Sequence, residues 1–226
     1  MRLTKRSYLT LAIILSLLAL LHQPQAVAAS QTETFRYHMT DEPHSLDPAR
    51  NSVSDAAYFF PQLMRGLYTY SNAKGLVPEG AKRCSVQGLK ISCELASKKW
   101  SDGSAVVADD YVRAFRHLLG KDSKNSALQL LSNLKNAIDV SSGKKPAADL
   151  GVASQGANKL VFTLQEPDPD FLFKLTSPLF VPIKSEKFPE RDKASEIITN
   201  GPYKISEWSR GRRIRLVPDP QFDADA

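Results

Sequence analysis

Apolar and polar positions alternate over Thr34-Phe35-Arg36-Tyr37-His38-Met39, which predicts a half-buried strand running into a turn at Asp41-Glu42-Pro43. From Ala56 to Leu67 the period changes. Ala57, Phe60, Leu63, Met64 and Leu67 recur at helical spacing, with Asp55 placed to cap the start and Gly66 near the end, despite Pro61 within the run. Two strands are predicted at Lys82 to Val86 and Leu89 to Leu95, followed by Trp100-Ser101-Asp102-Gly103, where Asp-Gly supplies turn chemistry. The clearest helix puts Tyr111, Phe115, Leu118 and Leu119 on one face. Asp109 and Asp110 open it, Arg116 and His117 close it, and Gly120 stops it. A second helix is predicted over Ser126 to Ile138 from the phase of Leu128, Leu131, Leu134 and Ile138. Leu160 to Leu164 reads as a strand, Phe171 to Leu175 as a short helix, and Arg213 to Val217 as a last strand after the Gly201-Pro202 turn. Strands and helices interleave without a fixed repeat, so the expected fold class is α/β or α+β.

The first 28 residues stand apart from this pattern. Arg2, Lys5 and Arg6 precede an apolar core from Tyr8 to Leu21, and small residues end the segment at Ala26-Val27-Ala28. This is the layout of a secretory signal cleaved after Ala28, with an apolar core too short to favour a retained anchor. No cysteine near Ala28 can accept a lipid, so a soluble periplasmic protein that is not a lipoprotein is expected. Three of the six formal positive charges belong to the signal, and the mild remainder gives no reason to expect nucleic acid as a partner. Cys84 and Cys93 then meet an oxidising compartment. A Gln87-Gly88 loop would set Cys84 opposite Ile91, whereas a Gly88-Leu89 loop or a four-residue loop would set the cysteines opposite each other. A disulfide and two packed thiols are both open readings.

Catalytic chemistry finds little support. Asp109 and Asp110, as helix neighbours, point about 100° apart and suit the helix dipole better than joint acid and base work. His44-Ser45-Leu46-Asp47 holds the residue types of a hydrolase triad but lacks a nucleophile elbow, and turn formation accounts for it. The histidines lack metal-ligand spacing, and no phosphate-binding or dinucleotide fingerprint occurs, so neither metal nor cofactor is expected. Arg213 and Arg215 alternate with Ile214 and Leu216 as on the wet face of a strand, with Arg210 and Arg212 just before them. Glu166-Pro167-Asp168-Pro169-Asp170 reads as a cap for the helix at Phe171 rather than a calcium loop.

Four segments in order carry a resemblance: Glu42 to Pro48, Lys99-Trp100-Ser101-Asp102-Gly103, Gly143 to Val152, and Thr199-Asn200-Gly201-Pro202-Tyr203. Together they resemble the family 5 extracellular solute-binding proteins, the oligopeptide-, dipeptide- and nickel-binding components of ABC importers. Gly143 to Val152 is similar to the periplasmic oligopeptide branch in particular. The resemblance implies a type II periplasmic-binding-protein lobe in segments 29–66 and 187–226, with a small α/β domain inserted at 67–186. It implies a non-enzymatic, monomeric binding component that delivers peptides to a permease and ATPase complex.

In that branch the extended segment after Leu-Asp-Pro bonds the ligand's main chain, which here corresponds to Asn51, Ser52, Val53 and Ser54. Two departures concern the ligand: the segment Asn51 to Ser54 lacks the acidic residue that the branch can offer near Ser52, and Asn125-Ser126-Ala127-Leu128 replaces an aromatic-rich stretch. Family members run to more than twice this length, so the resemblance implies an N-terminal portion or truncated product without the second lobe. A stand-alone periplasmic interaction or chaperone-like module is the alternative reading.

Overall fold

The computed structural model describes residues 34–39, 42–51, 53–123 and 125–223, with backbone alone at 53–57 and 191. The signal segment, Ser52 and the side chain of Asp55 lie outside these described residues.

Residues 34–39 form no strand, contrary to their alternation. A strand exists only through a ladder to a neighbour, and no such ladder involves this segment among the described residues. Phe35 is 89% exposed, so alternation here reports no buried face.

Within 40–226, a 3-10 turn at Pro48–Arg50 leads to α1, Val53–Leu63. Pro61 falls in its last turn, further along the helix than the sequence suggests. Phe59, Phe60 and Leu63 turn inward, and Met64 and Leu67 extend the buried stripe past the helix end. Two short strands, β1 (Tyr68–Ser71) and β2 (Gly75–Pro78), pair antiparallel around Gly75, whose φ of 69° suits glycine. This hairpin was not anticipated, although Tyr68-Thr69-Tyr70 is good strand composition.

The central sheet has the order β3-β4-β6-β5 and is antiparallel throughout. Its strands are β3 (Ala81–Gln87), β4 (Lys90–Leu95), β5 (Val152–Ser154) and β6 (Lys159–Thr163). The β3-β4 loop is Gly88-Leu89, with Gly88 alone at positive φ, the sign pattern of a type II′ turn. Cys84 therefore faces Cys93, and the two are joined by a disulfide with Cα atoms 4.0 Å apart. Closing so short a loop constrains the unfolded chain by about 2–3 kcal/mol on the chain-entropy scale.

Helix α2, Ala108–Leu118, covers the sheet. Phe115 meets Phe162 of β6 edge to face at 5.1 Å, and Phe162 meets Phe171 at 5.3 Å, so three aromatic rings form the middle of the core. The single helix expected over Ser126 to Ile138 is instead two, α3 (Ala127–Leu131) and α4 (Ala137–Ser141). The break has a physical cause: backbone groups of Asn133 and Lys135 bond Gln165 and Thr163 beside β6, and Asn136 takes φ 63°. Ile138, placed by its phase in the core, is 55% exposed.

Helix α5, Phe171–Lys174, is ordered by Asp168 rather than Asp170, since Asp168 accepts the Asp170 amide and the Lys174 ammonium. A kinked 3-10 stretch, Arg191–Glu196, precedes the closing hairpin β7 (Tyr203–Ser209) and β8 (Arg213–Pro218). Its inner face carries Trp208 against Phe59 of α1 at 5.7 Å.

Candidate ligand-facing turn and its supports

The turn before α1 is closed by its own side chains. Asp47 Oδ1 accepts the Ala49 amide at 2.8 Å, capping the 3-10 turn, and Ser45 Oγ accepts the Asp47 amide at 3.1 Å. Asn51 Nδ2 donates back to the carbonyls of Ser45 (3.0 Å) and Asp47 (2.6 Å). These bonds leave Asn51 extended at φ −115°, ψ 153°, with its Oδ1 buried and unpartnered among the described residues.

The expected extended run stops there, because Val53 and Ser54 already belong to the first turn of α1. Their amides are among the N–H groups that a helix start leaves without intrahelical partners. Ser52 lies outside the described residues.

The turn is also held from α2. His117 Nε2 sits 2.9 and 3.0 Å from the two Asp47 carboxylate oxygens, and its ring stacks on Phe188. His44, the nearer histidine in sequence, is not the one that reaches Asp47. Asn125 adds a third support: its Nδ2 bonds the carbonyls of Ala49 (3.3 Å) and Leu118 (3.0 Å), while its Oδ1 accepts the Ala127 amide. The stretch that departs from the oligopeptide branch is thus a brace for this turn. Periodicity gave no sign of either support, since both bridge segments far apart in the chain.

Beside the turn lies a polar cleft of about 370 Å³ lined by His44 to Asp47, Arg50, Glu186 and Phe188 to Glu190. A second cleft of about 230 Å³ lies between Lys98, Lys99, Asn200 and Phe222. Among the described residues no cluster of histidine, cysteine and carboxylate side chains could hold a metal ion.

The Asp47 carboxylate holds the His117 pKa above its ordinary 6.5, first through the hydrogen bond and then through charge, with Glu186 assisting. Burial and Arg50 oppose the rise. A raised folded-state pKa means that the pair's stabilisation is complete below the unfolded value and is lost as pH rises through the folded one. The urea midpoint should therefore fall as pH rises above the ordinary histidine value of about 6.5, and His117→Ala should flatten that slope; an unchanged slope in the variant would remove His117 as its source.

Two further residues act as internal ties. Asn200 brackets the backbone of Arg65, accepting its amide at 3.1 Å and donating to its carbonyl at 3.0 Å. Asp110, read in the sequence as a dipole partner, is only 4% exposed and accepts from Trp100 Nε1, the Val107 amide and Arg113. The third residue of a helix is where a carboxylate can reach back to the N-cap amide, which is the signal that could have singled it out.

Residues 76–226 match the family model for bacterial extracellular solute-binding proteins, family 5. The chain belongs to that family. It is 30% identical to the periplasmic oligopeptide-binding protein OppA of Salmonella typhimurium over 97% of this chain and 43% of the relative. Against the Escherichia coli OppA the identity is 27% at the same coverage. In structure it is similar to the substrate-binding domain of an oligopeptide ABC transporter from Bacillus anthracis, with a TM-score of 0.76 and 25% identity over 83% of this chain and 38% of that one. The Escherichia coli murein tripeptide-binding protein MppA gives a TM-score of 0.75 and 27% identity over 82% of this chain and 38% of that one. The fold is accordingly that of the type II periplasmic-binding-protein class in its mixture of helix and sheet. The family 5 chain spans less than half the length of the relatives it matches. Those relatives are named as binding proteins rather than enzymes. No helix among the described residues is long and apolar enough to cross a membrane.

Proposed function

We propose that this chain serves as the periplasmic peptide-capturing component of an ABC oligopeptide importer. In this role it is exported by residues 1–28, is not lipid-anchored, works as a monomer without enzymatic activity or cofactor, and passes peptide to a permease and ATPase complex. Segments 29–66 and 187–226 belong to the ligand-binding lobe, and 67–186 form an inserted domain. The observation that carries the reading is the braced turn before α1. It delivers Asn51 extended, with a buried side-chain acceptor unpartnered among the described residues, next to the amides of Val53 and Ser54, which the helix start leaves without intrahelical partners. Donors and acceptors of the main chain recognise a peptide backbone and ignore its side chains, as a carrier of many sequences requires.

Hydrogen–deuterium exchange tests this directly. A pool of tri- to pentapeptides should slow exchange of the amides at 51–54. Peptide binding that leaves these amides unprotected, or no peptide-dependent change at all, would overturn the assignment.

A further inference from the structure

The β7-β8 hairpin has two unlike faces. Ile205, Trp208, Ile214 and Leu216 share the inner one, with Ile205 buried and Trp208 on Phe59. The register sets Lys204, Glu207, Arg213 and Arg215 on the other, and Arg210 and Arg212 flank Gly211 in the exposed loop. Five cations thus meet one carboxylate, a net of four positive charges in a chain whose formal net charge is +6. Glu207 is spent on Arg213, which it accepts through both oxygens, and on Ser209. Lys204, Arg210, Arg212 and Arg215 have no ion-pair partner among the described residues.

We propose that this hairpin face docks the protein on an anionic phospholipid surface. The cations lie on an open strand face and loop, and neither cleft described above includes a hairpin residue, so the surface suits a spread of mobile charges rather than one enclosed anion. The hairpin's indole lies on the inner face, which leaves the cationic face without the stacking platform that single-stranded nucleic acid uses. Docking of this kind is reversible and sensitive to salt, as suits a carrier that must also diffuse. The proposal rests on the export reading only for where such a surface is met.

The test is co-sedimentation of the exported chain, recovered after removal of its leader, with vesicles and without peptide, so its outcome is independent of peptide capture. Vesicles of phosphatidylcholine with about 30% phosphatidylglycerol should bind the protein, and pure phosphatidylcholine vesicles should not. The triple variant Arg210→Ser, Arg212→Ser, Arg215→Ser should lose more than about tenfold in partitioning, and about 0.5 M salt should do the same to the parent. Circular dichroism and an unchanged urea midpoint verify that the variant is folded. Equal binding to both vesicles, an undiminished triple variant, no binding, or displacement by inorganic phosphate at matched ionic strength would each overturn the proposal.

Discussion

Asp110→Ala should destabilise the protein by about 3–5 kcal/mol, whereas Asp109→Ala should cost less than about 1 kcal/mol. The two carboxylates are adjacent, but only Asp110 is enclosed. Its removal strands the indole N–H of the fully buried Trp100 and the Val107 amide, and it takes away one partner of Arg113. Arg113 keeps its bonds to the carbonyls of Ile183 and Lys184, so the loss falls mainly on the indole and the helix start. Asp109 is exposed and bonds Ser154 in water. Urea unfolding of both variants measures the difference. Similar midpoints would show that the helix dipole, which both side chains serve, outweighs the buried network.

Gly201→Ala should be comparably damaging, at about 3–5 kcal/mol. A Cβ at this position would stand 2.4 Å from the Leu63 carbonyl carbon and 2.6 Å from the Met64 nitrogen. Both are backbone atoms at the end of α1 and cannot swing aside. The chain at 200–201 would have to lift away, breaking the Gly201 amide bond to Leu63 and straining the pair of bonds between Asn200 and Arg65. Each such bond contributes about 1 kcal/mol net. A loss below about 1 kcal/mol in denaturant titration would mean that the segment shifts freely and that the close approach carries no constraint.

These two sites also mark where the sequence was readable. The Trp-Ser-Asp-Gly turn, the helix through Tyr111 and Phe115, the pair of strands at 81–95 and the last strand at 213–217 follow from local periodicity and turn chemistry, which depend on neighbours in the chain. The split of the helix over 126–138 does not, because the interaction that breaks it lies about 30 residues away at the edge of β6. The strand expected at 34–39 failed for a related reason, since alternation describes a face but cannot supply a partner. For the turn before α1, the motif singled out Asn51 to Ser54 but not the conformation of Val53 and Ser54, which are drawn into the helix. Its supports from His117 and Asn125 reach across 70 and 76 residues, to Asp47 and Ala49 respectively, and no single-segment pattern encodes them.

The cross-strand bond between Cys84 and Cys93 has a consequence for how the chain matures. These are its two cysteines, so oxidation has a single intramolecular product, and that product joins residues nine apart across a two-residue turn. No mispaired isomer exists to be sorted. The hairpin can be sealed as soon as it forms, without the slow reshuffling that chains with several cysteine pairs require.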